Sequence, residues 1–418
     1  MAIILLALPL LFTACVKDNC KRLHTYTYYV PVYKTKQEVR DNIKSNGAKP
    51  VENPGKLNIL GNYIFLNEID KGIHVIDNSN PSTPRNIAFI DIPGNLDIAI
   101  KGNTLYADIY TDLVALDISN PLNVKTKKFI DNLFPHRYYG NGFVGNGAND
   151  IFISEWVKQD TTVELSCEDS PIGVWFDTRN VFFSTASVGT QSGNSSSSPV
   201  GVGGSMARFT IVNDHLYTVN QSHLDVFNIS NSVDPQHNNH INIGWNIETI
   251  YPFKNKLFIG SQSGMFIYNI SNASAPSLDG TFEHVRSCDP VIADDNYAYV
   301  TLRSGSACQG FTNQLDVVKL NNITDPSLFK TYQMTNPHGL SKDGNTLFIC
   351  DGAAGLKIYN AANVADLQLI KTIPGIETYD VIAFNNKALV VAKDGLYQYD
   401  YSNLSNVRLL SKINVNKE

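Results

Sequence analysis

The sequence predicts an all-β fold: a seven-bladed β-propeller of four-stranded antiparallel blades, with an N-terminal extension and one long loop insertion. Three observations carry this. First, an apolar run closed by Asp or Asn and followed by a Ser-Asn-Pro turn recurs seven times. The copies are GIHVIDNSNPSTP (72–84), DLVALDISNP (112–121), HLDVFNISNSVDP (223–235), GMFIYNISNASAP (264–276), QLDVVKLNNITDP (314–326), GLKIYNAANVAD (355–366) and GLYQYDYSNLSN (395–406). Second, the anchor residues Asp77, Asp117, Asn228, Asn269, Lys319, Asn360 and Asp400 are spaced by 40, 111, 41, 50, 41 and 40 residues, so the unit is about forty residues long. Third, apolar residues inside a unit alternate with period two. LDIAI, a Gly-Asn turn, TLYADIY, DLVALDI and VKTKKFI make four short strands in the second unit. Seven such meanders arranged radially form a propeller, whereas helical repeats of this length need apolar i, i+3, i+4 spacing that is missing here.

Composition narrows the function. With 418 residues and 43% hydrophobic content, a continuous run of repeats reads as one large globular domain. A net charge of -6 offers no basic footprint for nucleic acid. Six cysteines are too few for a disulfide scaffold but enough for one or two bridges in an oxidising compartment.

In chain order, residues 1–14 (MAIILLALPLLFTA) form an apolar run too short to span a bilayer, as in the core of a signal peptide. Phe12-Thr13-Ala14-Cys15 resembles a bacterial lipobox, which implies lipidation at Cys15. Residues 15–55 form a tether or extension. Its aromatic stretch HTYTYYVPVY (24–33) is extended, and either packs near the closure of the ring or holds the domain off the membrane. TKQEVRDNIK (35–44) reads as a short helical turn. The propeller occupies 56–418.

The insertion, residues 134–205, separates the second and third units. Its first part is rich in aromatic and β-forming runs, and its last stretch, GTQSGNSSSSPVGVGGS (189–205), reads as a flexible loop. In a four-stranded meander this insertion and the expanded loop RSGSACQGFT (303–312) in the fifth unit lie on the same face, here called the top. The aromatic content of the insertion must pack on something, either that top face or the side of blades two and three. Trp156 and Trp175 stand out as candidate anchors for a partner.

Positions at the start of each inner strand ring the top mouth of the channel: Lys56, Asp97, Arg208, Glu248, Asp289, His338 and Asp380. Such a ring suits a small ligand or metal. The remaining histidines show no HExxH or other zinc-ligand spacing, and there is no GxSxG, P-loop, dinucleotide fingerprint or CxxC. Asp294-Asp295 reads as a solvated turn. Cys288 and Cys308 both approach the top of the fifth unit and are expected to pair. Cys350 reads as a buried thiol, and Cys167 has either Cys20 or Cys350 as a possible partner.

IHVIDNSNP, DIYTDLVALDISNP, HVRSCDPV and NPHGL together resemble LVIVD-repeat proteins, especially lipoproteins of Bacteroidetes. The resemblance implies a propeller and a lipid-anchored outer-membrane location on either side of that membrane, the cell surface included, and assigns no chemistry or cofactor. The expected function is a non-enzymatic binding or scaffold propeller that recognises an envelope protein or small ligand through its top face. It would meet the membrane only through the lipid. The alternative is a metal-assisted hydrolase or lyase using the acids and His338 at the top mouth.

Overall fold

The computed structural model describes residues 21–134, 136–138, 144–146, 151–166, 200–284, 290–304 and 312–416. Seven antiparallel meanders of four consecutive strands span residues 54–91, 98–130, 209–242, 247–283, 291–333, 340–373 and 378–414, the first lying in a six-stranded sheet. They are the seven blades of a propeller, one for each copy of the motif.

The repeated Asp/Asn positions explain why the motif recurs. Asp77, Asp117, Asn228, Asn269, Asn360 and Asp400 each accept, through Oδ1, the backbone N–H two residues on, at 2.8–3.0 Å. This side-chain turn ends the third strand by giving the freed backbone N–H an acceptor. A second turn of the same kind follows in several blades, as at Asn80, Asn120, Asn363 and Asn403. Lys319 has no such oxygen; its ammonium instead lies 5.4 Å from the Phe329 ring centroid.

The core lies between neighbouring blades. Phe65, Ile73, Val75, Ile90, Ile98, Ile100, Leu105 and Val114 pack between blades one and two, and comparable clusters fill the other gaps. Each fully buried aliphatic side chain contributes about 1.5–3 kcal/mol. Hydroxyls tie blades together at the rim: Tyr106 donates to the Ser232 carbonyl at 2.6 Å, and Tyr217 to that of Ala273 at 2.8 Å. The ring closes by the same means. Leu57, Ile64 and Leu66 pack on Ile382, Leu389 and Val391. Ser411 donates to the Pro81 carbonyl at 2.7 Å, Gln398 to Asn78 at 2.8 Å, and Val51 bridges Val415 in parallel.

The aromatic stretch of the N-terminal extension does not pack at the closure of the ring. The strand Lys21–Thr35 pairs along its whole length with Ile151–Ser166 of the insertion, forming a two-stranded arm. Val51, later in the extension, does meet the closure, against Val415. The arm is rooted at the top of blade two, where Phe152 stacks on Tyr110 at 4.6 Å. The helix Lys36–Asp41, capped at Thr35, adds ion pairs from Lys36 and Arg40 to Asp112 and Asp131. Lys44–Asn46 then joins the outer edge of blade one.

The return leg of the insertion corrects one expectation. The sequence assigns residues 200–205 to a flexible loop. They instead form a paired segment inside the channel. Val200 bridges Lys101, Gly201 donates to the Ile100 carbonyl at 2.8 Å, and Val202 and Gly203 pair with Ile59 and Asn58. These partners lie toward the far ends of the inner strands, so the leg rises antiparallel to them and reaches the top at Ser205. A Cβ on Gly201 would fall 1.8 Å from Asn58 Oδ1, so any larger residue would have to push the Asn58 side chain aside.

Candidate functional site

Six of the seven ring positions are described, and each lies at the top end of its inner strand; Asp289 lies outside the described residues. They join into two groups. Lys56 Nζ bonds Asp97 Oδ2, which also accepts the Arg208 backbone N–H at 2.7 Å. The Arg208 guanidinium reaches Asp97 at 3.7 Å and Asp108 at 3.4 Å. On the other side, Arg303 interacts electrostatically with Glu248, His338 and Tyr379. His338 meets the Tyr379 ring edge-on at 5.5 Å, and Asn336 Nδ2 lies 3.3 Å from His338 Nε2.

Burial sets the electrostatics. Lys56 is 2% exposed, and Asp97 and Asp380 are fully enclosed. Desolvation lowers Lys56 to about 8 against the attraction of Asp97, with Arg208 adding repulsion. Burial holds Asp380 well above the usual carboxylate range and also raises Asp108. Burial, with help from Arg303, pushes His338 down to about 3, so its imidazole is neutral. The thiol of Cys350 is buried, free, and raised by the same desolvation.

The expected open mouth is filled. Ser205, at the end of the return leg, accepts the Leu340 N–H at 2.6 Å and lies 3.4 Å from Asp380 Oδ1. Lys56 has the lowered pKa of a base or nucleophile, but its ammonium is enclosed and spent on Asp97. Ser205 fastens the return leg to blades six and seven, and Lys56, Asp97 and Arg208 tie blades one, two and three into a polar knot.

Sequence reasoning missed the acids that support this knot. Asp108 ends the second strand of blade two and accepts the N–H groups of Leu96 and Asp97 at 2.7 and 2.8 Å. Asp351 does the same for Thr335 and Asn336, and Glu68 for Glu52 and Asn53. Their signal was present: an acid closes the second strand in NYIFLNE, TLYADI and TLFICD. Asp294 is likewise structural, receiving Tyr299 Oη at 2.8 Å and Lys342 at 3.0 Å.

Trp156 sits half-buried in the arm opposite Pro31. Trp175, Cys15, Cys20, Cys167, Cys288 and Cys308 lie outside the described residues. The third tryptophan went unnoticed in the sequence. Trp245, on the top loop between blades three and four, is 81% exposed. It is flanked by Gly244 and by Asn246 with φ +57°, three residues before Glu248.

Residues 55–88 and 95–128, which are blades one and two, match the LVIVD repeat model. No curated protein matches the chain. Among solved structures, a protein from Lactobacillus plantarum superposes with a TM-score of 0.53 at 12% identity, covering 89% of this chain and 95% of that one. The computationally designed Ika8 protein gives 0.52 at 10% identity, covering 88% of each chain. The periplasmic gluconolactonase PpgL of Pseudomonas aeruginosa gives 0.50 at 12% identity, covering 90% and 97%. At these identities the likeness shows the propeller fold alone.

Proposed function

We propose that this LVIVD-repeat propeller is a non-enzymatic binding scaffold of the bacterial envelope. Lipid at Cys15 tethers it to the outer membrane, and its top face recognises an envelope protein. The observation that carries this reading is Trp245. A tryptophan left 81% exposed on a top loop is costly in water and is the residue type that most often anchors an interface. The arm rooted on the same face supports it. Its two strands stand with Leu23, Tyr28, Tyr33, Val157 and Val163 exposed, and a two-stranded ribbon alone is marginal in water.

The hydrolase or lyase reading needs a reachable base beside the acids. Here Lys56, Asp97 and Asp380 are enclosed, and burial leaves the nearly closed-off His338 imidazole a weak proton acceptor. The scaffold reading is tested by replacing Trp245 with Ser and comparing co-purification from gently cross-linked native envelopes. Loss of the partner with an unchanged unfolding midpoint supports top-face recognition. Recovery of the partner at the wild-type level removes it.

A further inference from the structure

Blade three carries a second cluster of chemistry, on its outer two strands and away from the channel. His223–Asn228 pairs with Gln236–Asn242 in the register Phe227 to His237, Val226 to Asn239 and Asp225 to His240. Asn238 is therefore an extra, bulged residue. In an unbroken strand residues three apart face opposite sides, but the bulge makes positions 237 and 240 equivalent to residues two apart. Both imidazoles hang over Asp225. The ligand atoms of the three side chains all lie within 4.8 Å of one another.

The hydrogen bonding at this cluster is incomplete. Asp225 is 1% exposed. Its Oδ1 lies 2.9 Å from His237 Nε2 and 2.7 Å from His240 Nδ1, while its Oδ2 is buried with no hydrogen-bond partner. A buried carboxylate oxygen left unpaired costs free energy that a cation would recover. Blade five provides an internal comparison. Asp316, at the equivalent position opposite Thr331, is met by the Thr331 hydroxyl at 2.6 Å and the Gln314 amide at 2.9 Å. An aspartate here can be met on Oδ1 by neutral donors that bind no metal. Blade three places two imidazoles there instead.

We propose that Asp225, His237 and His240 bind one divalent cation of the zinc class, with solvent completing the shell. Two imidazoles and a carboxylate are the borderline donors that select such ions over magnesium or calcium. In a tetrahedral shell with bonds of about 2.0–2.2 Å, ligand atoms sit about 3.4 Å apart. The present spacings, within 4.8 Å and down to 2.7 Å, bracket that value. The imidazoles are 43% and 53% exposed, so an ion enters directly from solvent. His223 stacks on His240 at 4.2 Å, with its Nδ1 bonded to Ser222, and so steadies the His240 ring.

The test uses the full chain without an affinity tag, stripped by chelator and with its thiols alkylated, titrated with Zn2+ against a chromophoric competitor. The expected result is one equivalent bound. Asp225→Asn and His240→Gln should each weaken binding at least about tenfold. His215→Ala, elsewhere in the same blade, should bind as the wild type does. Circular dichroism checks that each variant is folded, and two independent variants guard against one failing to fold. Co2+ should give the visible bands of a four-coordinate site in the wild type and lose them in both variants. Absence of stoichiometric Zn2+ binding, or binding unchanged in folded Asp225→Asn and His240→Gln, overturns the proposal.

Discussion

Leu340 donates its backbone N–H to Ser205 Oγ at 2.6 Å, across 135 residues of sequence. That bond joins the end of the insertion to the inner strand of blade six, and the same hydroxyl lies 3.4 Å from the Asp380 carboxyl of blade seven. The channel is thus stitched by a segment that belongs to neither blade.

Ser205→Ala should therefore destabilise the whole propeller. It strands a buried N–H and removes a partner from Asp380, with an expected loss of about 1–3 kcal/mol. Denaturant unfolding measures this. A midpoint equal to the wild type would mean that the return leg is not fastened where the structure places it.

Gly339→Ala tests the crowding behind that bond. A Cβ there would fall 2.1 Å from Asp380 Oδ1 and 3.0 Å from its Cα, and the backbone atom cannot rotate away. Gly47 has open space around its would-be Cβ. Thermal unfolding should show a drop equivalent to about 3 kcal/mol or more for Gly339→Ala and no loss for Gly47→Ala. Equal midpoints would refute the close packing of blades six and seven.

The pH dependence of stability reports His338. Its folded pKa is lowered to about 3 from the ordinary 6.5, so between those values the unfolded chain binds a proton that the folded chain refuses. Stability from this group falls as pH drops from 6.5 toward 3, by up to about 1.4 kcal/mol per unit. His338→Gln should flatten the acid limb of the stability curve. A limb of unchanged slope would place the histidine in solvent.

Much of the fold was legible because a repeat states its own architecture. The seven anchor positions mark seven third strands, and even the exception, Lys319, marks a turn built differently. The arm was not legible: Lys21–Thr35 and Ile151–Ser166 are mixed polar and aromatic runs, and nothing local in either names a partner over a hundred residues away. The return leg was misread for a physical reason. Gly201 and Gly203 signal flexibility in a loop and close approach in a packed strand, and composition does not separate the two. The ring residues were found by register, but their enclosure depends on that same leg. His237 and His240 were passed over because three-residue spacing is a ligand pattern only where a bulge realigns the strand.

Lipidation makes a separate prediction from residues 1–15. The apolar run ending at Phe12-Thr13-Ala14-Cys15 predicts a diacylglycerol anchor, each buried methylene adding about 0.8 kcal/mol of membrane affinity. Cys15→Ser should move the protein from the membrane to the soluble fraction. A variant that sediments with membranes as firmly as the wild type would end the lipoprotein assignment.

The most direct test of top-face recognition is site-specific photo-crosslinking in native envelopes, with the reactive side chain placed at Trp245 or at Tyr63. Tyr63 is 38% exposed and follows the Gly61-Asn62 turn on the opposite face, so it serves as the control. A discrete protein adduct from position 245, with none from position 63, is the predicted result. Adducts of equal yield from both faces, or from position 63 alone, would contradict a scaffold that binds through its top.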